Sequence, residues 1–296
     1  MTDTLSKQSP ADTPDAGSVN HTKQGRVAYI TLNRPRVLNA MNRRMHEQLT
    51  HAFNEFETDR ELLVAVLTGA GQRAFSVGKD LFELAQDIHD GVQPRSFGSR
   101  GEPGWPRLTD RFGLGKPLIA RVDGYALGGG FELALACDII VASDRSTFAL
   151  PEAKLGLIPG AGGLFRLTRH IPFKIAMGHL LTGRTISATR AYELGLVNEV
   201  VRATDLDACV DTWVADVLRC SPLSLRSIKQ VSEASMHLSI EEAFARRYEA
   251  EDYRCSKADC REGPLAYVEK REPVWGLDCE DPNLRLEMNM KQSERP

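Results

Sequence analysis

The chain has 296 residues, of which 42% are hydrophobic and 26% are charged, a composition typical of a folded protein with a large core. Its 37 Lys and Arg residues against 40 Asp and Glu residues give a net charge of −3, which argues against a broad basic surface for nucleic acid or anionic lipid. No apolar run reaches the ~18 residues of a membrane span, so no membrane partner is predicted.

The first elements alternate between strand and helix. Residues 27–32 are a β-rich run, apolar residues at helical spacing predict a helix over 42–58, and residues 62–68 read as a buried strand. This alternation favours an α/β fold. The later predicted elements are a long loop or irregular helical segment at 86–116, a strand at 118–122, a helix near 131–137, strands at 138–142 and 197–201, and helices from 205 to about 270.

The N-terminus and the metal-ligating residue types suggest neither targeting nor metal binding. Residues 1–25 lack the apolar stretch of a signal peptide and the arginines of a mitochondrial presequence, so we expect a disordered tail and a cytoplasmic protein. The six cysteines and seven histidines show no CxxC or HExxH spacing. Reduced thiols and no metal site are therefore expected.

Glycines cluster in three segments, at residues 75–80, 124–132 and 156–163. Because glycine weakens helices and strands, such clusters indicate tight turns or a ligand that approaches the backbone closely. Their spacing matches neither the GxGxxG dinucleotide fingerprint nor the GxxxxGK[ST] phosphate loop. Simple turns remain the alternative for each segment.

The second glycine segment, at residues 124–132, is a candidate anion-binding site. Gly128, Gly129 and Gly130 directly precede an apolar helical run, where unpaired N–H groups and the helix dipole favour negative charge. Glu132 follows Gly129 by three residues, so both lie on one helix face. The alternative role of Glu132 is a first-turn acid stabilised by the helix dipole.

A second candidate acid follows Pro151. Glu152 lies in an apolar neighbourhood that can raise a carboxyl pKa enough for acid catalysis, although a glutamate after a proline is also an ordinary start of a helix. Two acids with a backbone anion hole would make a site for proton transfer next to a carbonyl group.

These segments resemble the enoyl-CoA hydratase/isomerase (crotonase) family over about residues 26–275. The matching motifs, in chain order, are NRP at 33–35, LNAMN at 38–42, AFSVGKDL at 74–81, GYALGGGFELA at 124–134, LPE at 150–152 and IPGAGG at 158–163. The resemblance implies an α/β fold, a crotonase-like spiral of repeated ββα units with a C-terminal α-helical trimerisation region, and homotrimers that often pair into hexamers. The implied divisions are a tail at 1–25, the core domain at 26–204, the helical region at 205–278 and a flexible tail at 279–296.

The resemblance also implies a mechanism. The thioester oxygen of an acyl-CoA would lie between the backbone N–H groups of Lys79 and Gly129, Glu132 would act as base on the attacking water, and Glu152 would deliver a proton to the α-carbon. Many relatives have alanine at the position of Lys79, a difference that spares the N–H contact but can alter the pocket mouth. No cofactor is implied, since CoA is part of the substrate.

Further residues are implied in substrate binding. Arginines would lie near the nucleotide, Lys270 or Arg271 would come from a neighbouring subunit, and the 86–116 segment would meet the acyl tail. For each charged residue the alternative is a solvated surface charge. The implied substrate-binding and CoA-binding residues are Arg34, Arg36, Arg73, Asp80, Trp105, Phe112 and Lys270.

Reversible hydration of a 2-enoyl-CoA is the leading functional prediction, because both acids are present. A carnitinyl-CoA-type dehydratase would use the same groups. A Δ3-Δ2-enoyl-CoA isomerase could work with Glu152 alone, so the presence of Glu132 counts against it. A non-enzymatic RNA-binding or scaffolding role, known in one branch of the family, is disfavoured by the lack of basic surplus.

Overall fold

The structure, a computed structural model, describes residues 18–92 and 108–276, and its strands form two sheets. The strands are β1 Ser18–Gln24, β2 Val27–Asn33, β3 Val64–Gly69, β4 Ala74–Ser76, β5 Leu118–Val122, β6 Tyr125–Leu127, β7 Ile139–Ser143, β8 Thr147–Ala149, β9 Ile186–Ser187 and β10 Glu199–Val201. The helices are α1 Arg43–Thr58, α2 Leu81–His89, α3 Gly129–Leu135, α4 Gly163–His170, α5 Phe173–Thr182, α6 Ala188–Glu193, α7 Leu206–Arg219, α8 Pro222–Ser235, α9 Ile240–Ala245, α10 Glu249–Cys255 and α11 Asp259–Glu269. Short 3-10 helices occupy Pro35–Val37 and Glu152–Leu155.

The six-stranded sheet has the order β1-β2-β3-β5-β7-β10 and is parallel except for β1. Its central strands are buried on both faces, as parallel strands require. Alternate residues of β3 show this, since Leu67 packs in the main core with Phe53 of α1, while Val66 packs on the other face with Val210 of α7. The predicted near-continuous apolar runs at 27–32 and 62–68 are confirmed as strands of this sheet.

The smaller sheet has the order β4-β6-β8-β9, with β4, β6 and β8 parallel. Successive turns of the chain each give one strand to the large sheet and one to the small sheet, and helices follow the first two of these pairs, β3-β4-α2 and β5-β6-α3. This is the predicted ββα spiral. Because parallel strands share a carboxyl edge, the segments that follow β4, β6 and β8 emerge together, and these segments carry Lys79, Gly129 and Glu152.

Helix α1 begins where the sequence predicts. The Asn42 side chain accepts the N–H of Met45 at 3.0 Å as the N-cap, and the apolar stripe of the helix is buried. The predicted helices after residue 205 are also present, as α7 to α11. No helix in the described part of the chain is long and apolar enough to span a membrane.

One predicted boundary is wrong. Residues 18–24 of the predicted N-terminal tail form β1, which pairs antiparallel with β2, and the N–H of Val19 donates to Gln48 at 2.9 Å. The prediction failed because β1 is a polar edge strand without apolar alternation. The segment predicted at 86–116 as a long loop or irregular helical segment begins with the last residues of α2, which ends at His89. Residues 1–17, 93–107 and 277–296 lie outside the described residues.

Candidate active site

The loop after β4 meets the start of α3 through a glycine. Gly78 has φ +87°, and a Cβ there would lie 2.6 Å from the Gly129 nitrogen, so only glycine allows this approach. Met41 holds the loop from the other side, because its N–H donates to the Gly78 carbonyl at 2.7 Å and its carbonyl accepts the N–H of Asp80 at 2.9 Å. Lys79 is thereby fixed beside the first turn of α3.

The backbone amides of Lys79 and Gly129 are neighbours. A Cβ on Gly129 would lie 3.7 Å from the Lys79 nitrogen. Gly129 is the first residue of α3, so its N–H has no partner within the helix. Across residues 18–92 and 108–276, neither N–H donates to a protein group. Two adjacent donors at a helix N-terminus can receive a developing negative charge.

Glu132 is held in place by a hydrogen bond from the glycine segment 156–163. It lies in α3 with 3% of its surface exposed, and its Oε1 accepts the N–H of Gly163 at 2.8 Å. A Cβ on Gly163 would lie 3.0 Å from that oxygen, so glycine is needed for the contact. Burial raises the pKa of Glu132 to about 8, although the Gly163 N–H opposes the shift.

Glu152 approaches from the third segment, after β8. Its Oε1 lies 3.2 Å from where a Cβ on Gly128 would be, which puts the carboxyl beside the residue that precedes Gly129. Burial raises the pKa of Glu152 to about 7, and its Oε2 is buried without a hydrogen-bond partner among the described residues. The negative charge of Glu152 contributes to the raised pKa of Glu132, so the two acids act on each other. The structure thus brings together Lys79, Gly129, Glu132 and Glu152.

Arg34 and Asp80, predicted to bind substrate, bind each other. The Arg34 guanidinium donates to the Asp80 carboxylate and to the Ala40 carbonyl, the latter at 3.3 Å. Asp80 also caps α2 by accepting the N–H of Phe82 at 2.9 Å. The pair therefore fastens the loop that carries Lys79.

Replacing Arg34 with Met is expected to lower the free energy of unfolding by about 3 kcal/mol, because the Arg34 and Asp80 side chains are only 14% and 11% exposed and the carboxylate would lose its cation. Urea unfolding measures this. Arg190→Met, which breaks the exposed pair with Glu193, is the control and should cost less than about 1 kcal/mol. Equal losses in the two variants would contradict the buried pair's role.

The other predicted binding residues lie at the surface or outside the described part. Arg36, in the short 3-10 helix, and Arg73, in the turn between β3 and β4, are both exposed, and these two segments are neighbours because Gly71 lies close to Pro35. Phe112 is 74% exposed, and Lys270 is exposed at the end of α11. Trp105 lies outside the described residues. Within the described ranges, no group of three His, Cys, Asp or Glu side chains could hold a metal ion.

His46 is a buried polar residue near the site that sequence reasoning missed. It is 2% exposed in α1, and neither ring nitrogen has a hydrogen-bond partner within the described residues. Burial, with the charge of Lys79, lowers its pKa to about 3, so the ring is neutral at neutral pH. The available signal was its position beside Met45 and three residues before Leu49, on the apolar stripe of α1.

This burial predicts an acid-sensitive stability. Below pH 6.5 the unfolded chain binds a proton at His46 and the folded chain does not, so each pH unit down toward pH 3 is expected to cost about 1.4 kcal/mol. Urea unfolding at neutral and mildly acidic pH should show that His46→Leu loses this dependence. His51→Leu, an exposed position on the same helix, should keep it. Identical pH slopes in wild type and His46→Leu would exclude the effect.

Comparison with known proteins identifies the class of protein that this fold and site define. The family model for enoyl-CoA hydratase/isomerase matches residues 22–278. The chain belongs to that family, and the predicted family, fold and enzyme class, hydro-lyases of the enoyl-CoA hydratase type, are confirmed. Members of the family act on acyl-CoA thioesters.

The similarity to individual relatives extends over nearly the whole length of each relative. Carnitinyl-CoA dehydratases of Proteus mirabilis and Escherichia coli K12 are each 40% identical over 263 residues, which is 87% of this chain and 98% of the relative. Among solved structures, an enoyl-CoA hydratase from Mycobacterium tuberculosis is 36% identical with a TM-score of 0.79, covering 89% of this chain and 99% of that one. One from Geobacillus kaustophilus is 37% identical with a TM-score of 0.78, covering 88% and 98%.

Proposed function

We propose that this enzyme adds water reversibly across the 2,3 double bond of a 2-enoyl-CoA thioester to give a 3-hydroxyacyl-CoA. The observation that carries the proposal is the meeting of two carboxyl groups, the buried Glu132 and the partly buried Glu152, with the adjacent N–H groups of Lys79 and Gly129. Such a site can move protons at the α-carbon and β-carbon while it stabilises charge on the thioester oxygen.

In the proposed mechanism the thioester oxygen accepts hydrogen bonds from the backbone N–H groups of Lys79 and Gly129. Glu132 takes a proton from the water that attacks the β-carbon, and Glu152 gives a proton to the α-carbon. These two N–H groups stabilise the negative charge that develops on the oxygen. Losing one of them would raise the activation free energy by about 2.7–4 kcal/mol. CoA enters as part of the substrate, and these steps use no further cofactor.

The proposed mechanism requires one of the two carboxyl groups to be ionised and the other to be protonated. Well below about pH 7 both carboxyl groups are protonated and no base is present, and well above about pH 8 both are ionised and no acid is present. Between these values one proton is shared and lies mainly on Glu132, whose pKa is the higher. The reactive form, with Glu132 ionised and Glu152 protonated, is therefore the minor one-proton form, and its population peaks in the same interval. We therefore expect a bell-shaped profile of kcat/KM, with a maximum between about pH 7 and pH 8. Initial rates in buffers of constant ionic strength measure this, and a profile that is flat from mildly acidic to alkaline pH would contradict it.

A second candidate function is dehydration of carnitinyl-CoA. The named relatives at 40% identity support it, because they are carnitinyl-CoA dehydratases. Loss of water from a 3-hydroxyacyl thioester is the reverse of the proposed hydration and would use the same four groups. Δ3-Δ2 isomerisation is less well supported, because it needs one acid and this site holds two.

A panel of thioesters tests the proposal and separates the candidates. Purified enzyme is incubated with 2-enoyl-CoA esters of increasing chain length, with the matching 3-hydroxyacyl-CoA esters and with carnitinyl-CoA, while the enoyl absorbance is followed. Activity on plain enoyl esters supports the hydratase, and activity confined to carnitinyl-CoA supports the dehydratase. No activity on any member would refute the proposal.

Binding of the remaining substrate parts follows the family resemblance. We propose Arg36 and Arg73 for the nucleotide, since both are exposed on neighbouring segments, and Lys270 from a neighbouring subunit. Trp105 and Phe112 are proposed for the acyl tail. Arg34 and Asp80 would act through the loop they fasten.

A homotrimer or hexamer is also proposed, because the C-terminal helices carry large exposed apolar side chains, which typically mark association surfaces. These are Ile240, Phe244, Tyr267 and Val268. The cytoplasmic location expected from the sequence is kept as a separate proposal.

A further inference from the structure

Arg166 lies in α4, directly after the glycine segment 156–163, and is not one of the proposed catalytic groups. Its Nη2 donates to the Thr109 carbonyl at 2.8 Å. Its Nη1 packs against Gly162, where a Cβ would collide with it, and Gly162 has φ +101°. The same residue's backbone N–H donates to the Gly162 carbonyl at 2.9 Å. The guanidinium therefore joins the Thr109 segment to the glycine loop.

That glycine loop holds Glu132. The N–H of Gly163, the residue after Gly162, donates to Glu132 Oε1 at 2.8 Å. A Cβ on Gly163 would also meet Leu150 at 2.9 Å, so the loop has no room to shift toward the core. Any movement of Gly162 would be passed to the donor that orients Glu132. The Arg166 side chain packs against Gly162, the residue before this donor.

The charge of Arg166 acts on the same carboxyl group. Burial and the neighbouring Glu152 raise the pKa of Glu132, whereas a base must be ionised. The N–H groups of Gly163 and Ala161 oppose this rise, and the positive charge of Arg166 adds a smaller effect in the same direction as theirs. The guanidinium is itself largely buried, and burial lowers its pKa. The other titratable groups near Arg166 are Glu233 of α8, Asp110, Cys137 and His170.

We propose that Arg166 is a positioning residue that holds the 161–163 loop against Glu132 and favours the ionised form of this carboxyl group. The inference rests on the proposed function only where it makes Glu132 the base. The position and ionisation of Glu132 are properties of the enzyme without substrate, so they can be tested without any assay of activity.

The first experiment measures ionisation directly. Infrared difference spectra of wild type minus Glu132→Gln, recorded across pH without substrate, isolate the Glu132 carboxyl band, whose midpoint should lie at about 8. In an Arg166→Met background the midpoint should rise, because an opposite charge has been removed. Arg169→Met, an arginine on the same helix bonded to Phe165, is the control and should leave the midpoint unchanged.

The second experiment separates charge from position. Arg166→Lys keeps the charge but loses the planar group that spans Gly162 and Thr109. We expect an unchanged midpoint and a kcat for hydration reduced about tenfold or more, since a small misplacement of a catalytic group is costly. This variant also serves if Arg166→Met does not fold.

The outcomes are distinct. An unmoved midpoint in folded Arg166→Met would overturn the charge role, and full kcat in Arg166→Lys would overturn the positioning role. If wild type has no hydratase activity but the midpoint still rises in Arg166→Met, the proposed function fails and the effect of Arg166 on Glu132 stands.

Discussion

Glu132→Gln and Glu152→Gln are each expected to lower kcat for 2-enoyl-CoA hydration by about 10²–10⁴-fold, the contribution of a positioned general acid or base. Glutamine keeps the size of glutamate, and its carbonyl oxygen can still accept the N–H that holds Glu132, donated by Gly163 at 2.8 Å. The fold and the loop should therefore be retained. Only the ability to accept or give up a proton near neutral pH is lost.

Steady-state kinetics with one enoyl ester measure this effect, and calorimetry with a saturated acyl-CoA shows whether binding is kept. Glu47→Gln, an exposed position on α1, is the matched control and should have the wild-type rate. The double variant should lose little more than either single variant, because the two acids work as one unit. A rate near wild type in either single variant would exclude that residue from the chemistry.

Gly78→Ala is expected to reduce kcat by about 10²–10³-fold, the loss typical when one oxyanion-hole donor is removed. The new Cβ would lie 2.6 Å from the Gly129 nitrogen, and this residue has φ +87°, so the loop must move away from α3. The N–H groups of Lys79 and Gly129 would then no longer face one oxygen. KM should change less than kcat, because charge develops on the oxygen in the transition state.

Gly178→Ala is the control for this substitution. Gly178 lies in α5, a Cβ there meets nothing within 4 Å, and alanine in a helix is more stable than glycine. This variant should unfold at the wild-type temperature or slightly above it and keep full activity. A Gly78→Ala enzyme that is folded and fully active would show that the apposition of these two amides is not needed.

Helix α1 and the central strands could be predicted from the sequence because their signals are local. The stripe of Met45, Leu49 and Phe53 has helical spacing, and Asn42 is a favourable N-cap that is indeed used. The strands β2 and β3 are apolar enough to show as buried runs.

The small sheet could not be predicted in the same way. Strands β4, β6 and β8 have three residues each, too few for a period of two to be recognised, and they exist because parallel neighbours pair with them. Only the family resemblance implied the spiral that brings their carboxyl ends together. The glycine clusters marked the three loops, but their meeting point is a property of the tertiary structure.

Side-chain roles that depend on distant contacts were also outside the reach of the sequence. Arg166 bonds to Thr109, which lies 57 residues earlier, and Arg34 bonds to Asp80, 46 residues later. An arginine in a helix or loop reads as a surface charge until such a partner is known. His46 was hidden because a single histidine on an apolar stripe is not distinctive.

The central claim is that this enzyme moves water onto a 2-enoyl-CoA with two acids and two backbone N–H groups. It is tested most directly by incubating the enzyme with an unbranched 2-enoyl-CoA in water enriched in oxygen-18 and deuterium and analysing the product by mass spectrometry and NMR. The mechanism predicts one oxygen-18 at the β-carbon and one deuterium at the α-carbon. A product without oxygen-18, with deuterium at the γ-carbon, would show isomerisation and contradict the claim.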